Sequence, residues 1–542
     1  MSFSEISDIN RLPYGDPDFA NIREIGSIYV DKTKLIYEIA SQRAPLFFSR
    51  PRRFGKSLLV NTLHSLFSTG LKYFKGLDIE KVWDDKTYKV VHLDFSTITP
   101  KTPLEFKRAL GDTIIEEFNV KGTIAQYDEM GVRDPDRIFN EIARKLTNNS
   151  VVLLIDEYDA PITHHLDKPD ELKDILSILN SFYATVKQYT GKFRLIFITG
   201  VTRTSHISIF SAFNNLLDIS FKPKFNSILG FTENDIHTYF DKYVEYASHM
   251  LCIEKEDVYI RIKQYYDGYR FSYESKETVY NPWSVLSFFK QVEDGFQNYW
   301  FESGGTPSII MEYLKISKSF NLLAYKDNRL TKTRRELSAK YEIDNIPEEI
   351  LLLQAGYFTI QNEENQTVRL IFPNIEVEDS ILSLYLTANN ITLGDNTNHQ
   401  ITTLIESIDN KNLLSITKTF NAILNDCVSI LSKIFDNERS IRDIIYAALP
   451  QKIDFQKIKE RETNRGNSDL ELVTKKTHMV IEFKLASKKC SPQSSLEQAI
   501  KQIQSKEYGI GAYRNHQLYY VAMVISKDEK RILQKFCQEV LP

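Results

Sequence analysis

Cysteine is scarce in this chain. Four residues, Cys252, Cys427, Cys490 and Cys537, stand among 542, and no two form a CxxC pair. That spacing excludes a zinc ribbon and leaves too few thiols for a disulfide framework, which points to a reducing compartment. No apolar run approaches the roughly 20 residues that a bilayer span needs. The opening residues, "MSFSEISDINRLPYGD", lack the basic segment and apolar core of a signal peptide, so a cytoplasmic protein is expected. An excess of either charge is missing too: 68 Lys and Arg face 72 Asp and Glu, for a net −4. No chain-wide basic field therefore draws the protein to nucleic acid, and any such binding must come from local patches. Internal repeats and low-complexity tracts are absent. What remains is an ordinary folded composition, 42% hydrophobic and 26% charged, at a length suited to about two to four domains.

Short apolar runs alternate with amphipathic stretches from Ile28 to about Ser220. "PLFFS", "KVVHLDF", "VVLLID" and "RLIFIT" have the length and polar bounds of buried strands, and helical patterns such as "KSLLVNTLHSLF" lie between them. Strand alternating with helix predicts a mostly parallel sheet covered on both faces, an α/β fold. From about Phe231 to Ser317 the chain turns helical and aromatic. "IPEEILLLQAGYFTIQNEENQTVRLIFPN" then gives a helix, a strand, a polar turn and a second strand, the outline of a winged-helix unit or of a plain interdomain hairpin. Residues 381 to about 433 are predicted helical. From Glu438 onward the pattern is helix, hairpin, helix, strand and a final helix. These boundaries predict a core over 1–225, a helical sub-domain over 226–320, a connector over 321–400 and a second α/β domain over 401–542.

"LFFSRPRRFGKSLLVNTLHSLF", Leu46–Phe67, holds the end of a phosphate-binding loop, Gly55-Lys56-Ser57, but Arg50 stands where the pattern GxxxxGK[ST] has its first glycine. Gly55 is where backbone must approach a phosphate closely. The first glycine mainly eases the turn out of the strand, which Pro51 can set in its place. Lys56 is placed to reach the terminal phosphates, Ser57 to hold Mg²⁺, and Arg52 and Arg53 to add positive charge beside Phe54 and the bound phosphates. "VVLLIDEYDAP" supplies the partner motif, with Asp156 predicted to bind Mg²⁺ through water and Glu157 to polarise the attacking water. A strand falls between the two motifs, as in NTPases of the additional-strand class. "FITGVTRTS" then offers Thr199 or Thr202 as a γ-phosphate sensor, with Arg203 close behind.

Seven motifs in order carry a resemblance: "YVDKTKLIYEI", "FFSRPRRFGKSLLVNTL", "LLIDEYDAPI", "FITGVTR", "YYDGYRF", "YNPWSVL" and "YWFESGGTP". Residues 5–307 together resemble the bacterial AAA-ATPase-like family, in which the same arginine-for-glycine replacement is usual. The resemblance implies an AAA-like P-loop NTPase core with a helical lid that contributes "YYDGYRF".

A second constellation lies in "GNSDLELVTKKTHMVIEFKLA", Gly466–Ala486. Asp469 begins one strand, Lys475-Lys476 makes the turn, and Glu482 and Lys484 share one face of the next strand while Phe483 faces the other. Two converging carboxylates can hold Mg²⁺, and a lysine beside them can orient or deprotonate the attacking water. Glu438, on a helix upstream, is a candidate third metal ligand. Gln498 and Gln502, one turn apart downstream, are candidates to contact a phosphate backbone or the site itself. The ordered set resembles the PD-(D/E)XK nuclease domain often appended to the AAA-ATPase-like family, over residues 400–542.

The expected function is an ATPase coupled to a Mg²⁺-dependent nuclease acting on DNA, in defence or DNA processing, with ATP state gating the nuclease. The alternative is a nucleotide-controlled nucleic-acid or protein binder whose nuclease fold only grips. A third possibility is an ATPase acting on protein partners through the segments around Trp283 and Trp300. Because AAA-type sites often borrow an arginine from a neighbour, a homo-oligomer is also expected.

Overall fold

The computed structural model describes residues 11–98, 102–120, 134–165, 168–203, 216–301, 330–339, 341, 346–388, 393–427, 438–449, 455–459, 462–463, 466–486, 491–510, 513 and 516–540. The described residues form two compact units. Residues 11–291, 298–301 and 330–378 make the first; 292–297 and those from 379 onward make the second.

In the first unit five parallel strands, β1 (Leu46–Ser49), β2 (Lys89–Asp94), β3 (Val151–Asp156), β4 (Phe193–Gly200) and β5 (Leu217–Asp218), make a sheet in the order β2-β3-β4-β1-β5. The run "VVLLID" is buried at all six positions, as a central parallel strand must be, whereas β2 at the edge exposes Lys89. Helices Pro103–Glu117, Pro135–Lys145 and Pro169–Gln188 cover one face, each opened by a proline in its first turn, and bury Phe106, Phe139 and Phe182 in a common core. β4 separates β1 from β3. The strand ending in Asp156 is thus not next to the loop strand, as expected for the additional-strand class, and the strand between them is "RLIFIT", while "KVVHLDF" lies at the edge.

A helical sub-domain follows, with helices Glu233–Leu251, Lys255–Tyr266 and Pro282–Lys290. Thr232 and Asp235 form a capping box at the first of these. The helix-then-hairpin outline further on is present as Glu348–Ala355, β7 (Thr359–Glu364) and β8 (Thr367–Ile371). It gains a third strand, β6 (Thr331–Thr333), which pairs with β8 in the order β6-β8-β7. This segment packs within the first unit: the Thr359 hydroxyl accepts from Arg270 N at 2.7 Å, and Gly356, at φ +91°, leaves a space where a Cβ would come within 2.7 Å of Pro51.

The second unit carries β9 (Phe455–Lys459), the ribbon β10–β11 (Glu462–Thr463 and Gly466–Asn467), β12 (Leu470–Thr474), β13 (Thr477–Ala486), β14 (Gln517–Ser526) and β15 (Ile532–Val540). The main sheet runs β15-β14-β13-β12-β9, with β13 and β14 parallel and the other pairs antiparallel. The predicted final helix is thus a strand. The spacing of Leu533, Phe536 and Cys537 suits a helix, but β14 offers an open edge, and pairing along it outweighs local preference. Leu470, Leu472, Ile481 and Phe483 point to one core with helix Leu413–Asp426, while Val480 faces helix Pro492–Lys506 on the other side.

Candidate active sites

The turn out of β1 shows what Arg50 does in place of glycine. It is 2% exposed, and its guanidinium donates to the carbonyl oxygens of Ser49 at 2.9 Å, Ser220 at 2.7 Å and Phe225 at 2.8 Å. The same group lies 4.4 Å over the Phe48 ring and 4.2 Å over that of Phe271, from the "YYDGYRF" motif. Phe54 packs edge-on against Tyr269 and Phe271 of that motif. Arg50 therefore fastens the loop to its surroundings rather than freeing its backbone.

Gly55 ends the loop at φ +89°, a left-handed conformation that glycine adopts without strain. Helix Lys56–Thr69 starts there with no side chain capping its first N–H groups, which leaves a helix N-terminus suited to an anion. Lys56 is 4% exposed, with Nζ 3.1 Å from the Pro51 carbonyl oxygen. Ser57 hydrogen-bonds Asp156 at the end of β3. Burial raises the pKa of Asp156 and, more tellingly, of Glu157, against the pull of Lys56. A carboxylate displaced toward neutrality is better suited to accept a proton than an ordinary one.

A cleft of about 570 Å³, large enough for a nucleotide, is lined by Arg52, Arg53, Phe54, Gly55, Lys56, Ser57 and Glu157. Tyr29, Ile36, Leu229, Phe240 and Leu286 add an apolar lining, and Lys32 is joined to Asp235 of the lid by a 2.5 Å ion pair. Asp94, which no sequence pattern singled out, and Trp283 of the "YNPWSVL" motif also stand in the cleft wall. Asp94 ends β2 in register with Asp156, an acidic residue at a strand's C-terminal edge just as in β3. Trp283 opens a lid helix, and Arg53 lies over its ring at 4.2 Å.

The sensor candidates separate. Thr199 is buried in β4, and its hydroxyl has no hydrogen-bond partner. Thr202 is committed elsewhere, its hydroxyl donating to Asp159 at 2.6 Å. Arg203 does not line the cleft. Its side chain pairs with Asp218, donates to the Leu337 carbonyl oxygen and lies over Phe221. Against the expectation that it serves the nucleotide, Arg203 is buried and engaged away from the cleft, and to reach a ligand it would have to leave Asp218 and the Leu337 carbonyl oxygen.

In the second unit Asp469 immediately precedes β12. Its Oδ2 accepts from Phe483 N at 2.8 Å, which seats the carboxylate beside the peptide that follows Glu482. Lys484 Nζ lies 3.0 Å from Glu482 Oε1 and 3.3 Å from Glu438 Oε2. Glu482 is 1% exposed, and its Oε2 has no partner. Burial first, and the charge of Asp469 second, push its pKa up to about 8. A buried carboxylate oxygen with nothing to bond, beside a second acid, is a place that attracts a proton or a cation.

Glu438 departs from its expected role as third ligand. Its Oε1 accepts from Leu485 N at 3.0 Å and its Oε2 from Lys484. Among the described residues no group of three acidic, histidine or cysteine side chains is arranged to hold a metal. Glu438 instead accepts from Lys484 and from the Leu485 N–H. Arg442, one turn further along helix Glu438–Ala448, is 2% exposed. It bonds Asp443 at 3.1 Å and lies 3.7 Å from Asp469. The four-residue step from Glu438 was the available signal for it. Gln502 hydrogen-bonds the Tyr508 hydroxyl, whose pKa is raised by burial first and by the charge of Glu482 second, whereas Gln498 is exposed on the same helix.

Residues 13–210 match the family described as "Predicted AAA-ATPase", and residues 436–535 match the PD-(D/E)XK nuclease superfamily. The chain belongs to the AAA-ATPase-like family and carries a PD-(D/E)XK nuclease superfamily domain at its C-terminal end. This AAA-ATPase-like chain is 33% identical over 382 residues to an uncharacterized protein from the vnfD 5' region of Azotobacter chroococcum mcd 1, covering 68% of this chain and 69% of that one. A Walker-type ATPase of Pyrococcus abyssi aligns with 65% of this chain and 94% of its own at 12% identity and a TM-score of 0.29. Among the described residues no helix of the AAA-ATPase-like chain is long and apolar enough to cross a membrane.

Proposed function

We propose that the protein hydrolyses ATP in its first unit and cleaves phosphodiester bonds of DNA in its second, each with Mg²⁺, as a cytoplasmic enzyme whose nucleotide state governs cleavage. The observation that carries the cleavage half is the unpartnered Oε2 of buried Glu482 beside Asp469 and Lys484. In the first unit Lys56 and the open helix N-terminus hold the phosphates, and Ser57 and Asp156 would hold Mg²⁺. Glu157 takes the proton of the attacking water as its oxygen bonds to the γ-phosphorus and the β–γ bridging bond breaks. In the second unit Asp469 and Glu482 would hold Mg²⁺, Glu438 steadies Lys484, and Lys484 orients the attacking water. Bound Mg²⁺ supplies Lewis-acid polarisation of the phosphoryl oxygens at both places.

The PD-(D/E)XK nuclease superfamily match over residues 436–535 supports a nucleic-acid substrate for the second unit. The test is cleavage of double- and single-stranded DNA and of RNA by the full chain with Mg²⁺, in ATP, ADP and no nucleotide. Glu482→Ala is expected to abolish cleavage with ATP turnover intact, and Lys56→Ala to abolish turnover. Wild-type protein that cuts none of these substrates in any nucleotide state removes the nuclease half. The unit would then be a nucleotide-controlled binding module.

A further inference from the structure

Arg53 and Trp283 form a contact that neither the motifs nor the family match assigns. Arg53 sits in the phosphate loop two residues before Gly55 at φ +68°, a left-handed conformation that a residue with a side chain adopts only at a cost. Its guanidinium lies 4.2 Å over the indole of Trp283, and both residues line the same cleft. The indole is held in place from several sides. Its N–H donates to the Tyr299 carbonyl oxygen at 3.2 Å, and Tyr14 lies against it with ring centroids 4.9 Å apart. Asn281 caps the helix at the Trp283 N–H, at 2.9 Å. The aromatic surface is therefore fixed, and Arg53 reaches it from the loop on a long, exposed side chain.

We propose that Trp283 is a specificity-determining residue for the nucleotide: it holds Arg53 on its indole, the terminal phosphate of ATP draws Arg53 away, and the contact so offsets part of the preference for ATP over ADP. This rests on the nucleotide site proposed above. A guanidinium over a tryptophan is held by the ring's negative face, and a polyphosphate in the same cleft competes for it with full charges. ATP, with one phosphoryl group more than ADP, competes harder. The indole thus lowers the affinity for ATP, which draws Arg53 off the ring, and leaves unchanged that for ADP, which does not; the loop and the lid change contacts together when ATP binds.

The test is calorimetric binding of the non-hydrolysable analogue ATPγS and of ADP, each with Mg²⁺, to the full chain. Trp283→Leu is expected to tighten ATPγS about two- to fivefold, the range for an exposed cation–aromatic contact, and to leave ADP unchanged. Trp283→Tyr, which keeps an aromatic face, stays near wild type. Arg53→Ala weakens ATPγS alone, and in that background Trp283→Leu has no further effect. Equal weakening of both nucleotides by Trp283→Leu would make the indole a simple wall of the pocket and overturn the proposal, as would an unchanged ratio. Wild-type protein that binds neither nucleotide, or binds both undiminished as Lys56→Ala, overturns the underlying nucleotide site as well.

Discussion

The indole N–H of Trp300 donates to the backbone carbonyl oxygen of Arg52 at 3.2 Å, joining residues 248 positions apart. Trp300 N in turn donates to Glu376 Oε1 at 2.7 Å, and Glu376 Oε2 accepts from Ser284, next to Trp283, at 2.7 Å. One buried carboxylate thus ties the "YNPWSVL" and "YWFESGGTP" motifs together, and one indole ties them to the phosphate loop. Trp300→Phe keeps a ring but removes the donor from the Arg52 carbonyl. It should lower stability by about 1–3 kcal/mol in denaturant titration and weaken nucleotide binding severalfold, because Arg52 belongs to the loop.

Restoring the missing glycine should harm the protein. Arg50→Gly strips donors from the Ser220 and Phe225 carbonyl oxygens and opens a cavity between Phe48 and Phe271. A loss of about 2–4 kcal/mol is expected, with no gain in nucleotide affinity. Thermal melting and calorimetry on the same variant check both halves.

Glu157→Gln should keep nucleotide binding and slow ATP turnover by about 10²- to 10⁴-fold, since only the proton acceptor is lost. Lys56→Ala should lose binding itself. Phosphate release set beside calorimetric affinity separates the two variants.

The raised pKa of Glu482 has a definite sign for stability without metal. An unfolded glutamate titrates near 4.3, roughly, and the folded one near about 8, so the fold favours the protonated form. That contribution is full below the unfolded value and is lost as pH rises through the folded one. Glu482→Gln, which stays neutral, should melt with wild type at pH 4 and above it at pH 9. Scanning calorimetry across that window reads the difference directly.

Much of this was legible in the sequence because strand runs and loop motifs are local. "VVLLID" could be nothing but a buried strand, and Gly55-Lys56-Ser57 marked the helix start. Side-chain partners are not local. Arg203 follows the sensor strand by a few residues, yet Asp218 and the Leu337 carbonyl claim it. Glu438 stands at the right distance upstream to be a ligand, yet Lys484 and the Leu485 N–H occupy both its oxygens. The last strand was hidden for a similar reason, since only the free edge of β14 decides it. The segment around Trp283 was a candidate to meet protein partners, and its place in the cleft beside Arg53 shows only in the fold.

Binding of Mn²⁺ to the full chain, in an Asp156→Asn background that silences the other acidic strand end, tests the acidic pair most directly. Titration calorimetry should show a site that loses at least tenfold in affinity with either Asp469→Asn or Glu482→Gln, and that releases a proton at pH 7 as Glu482 ionises. Equal binding by all three proteins, or no binding by the parent, would contradict a metal site at Asp469 and Glu482.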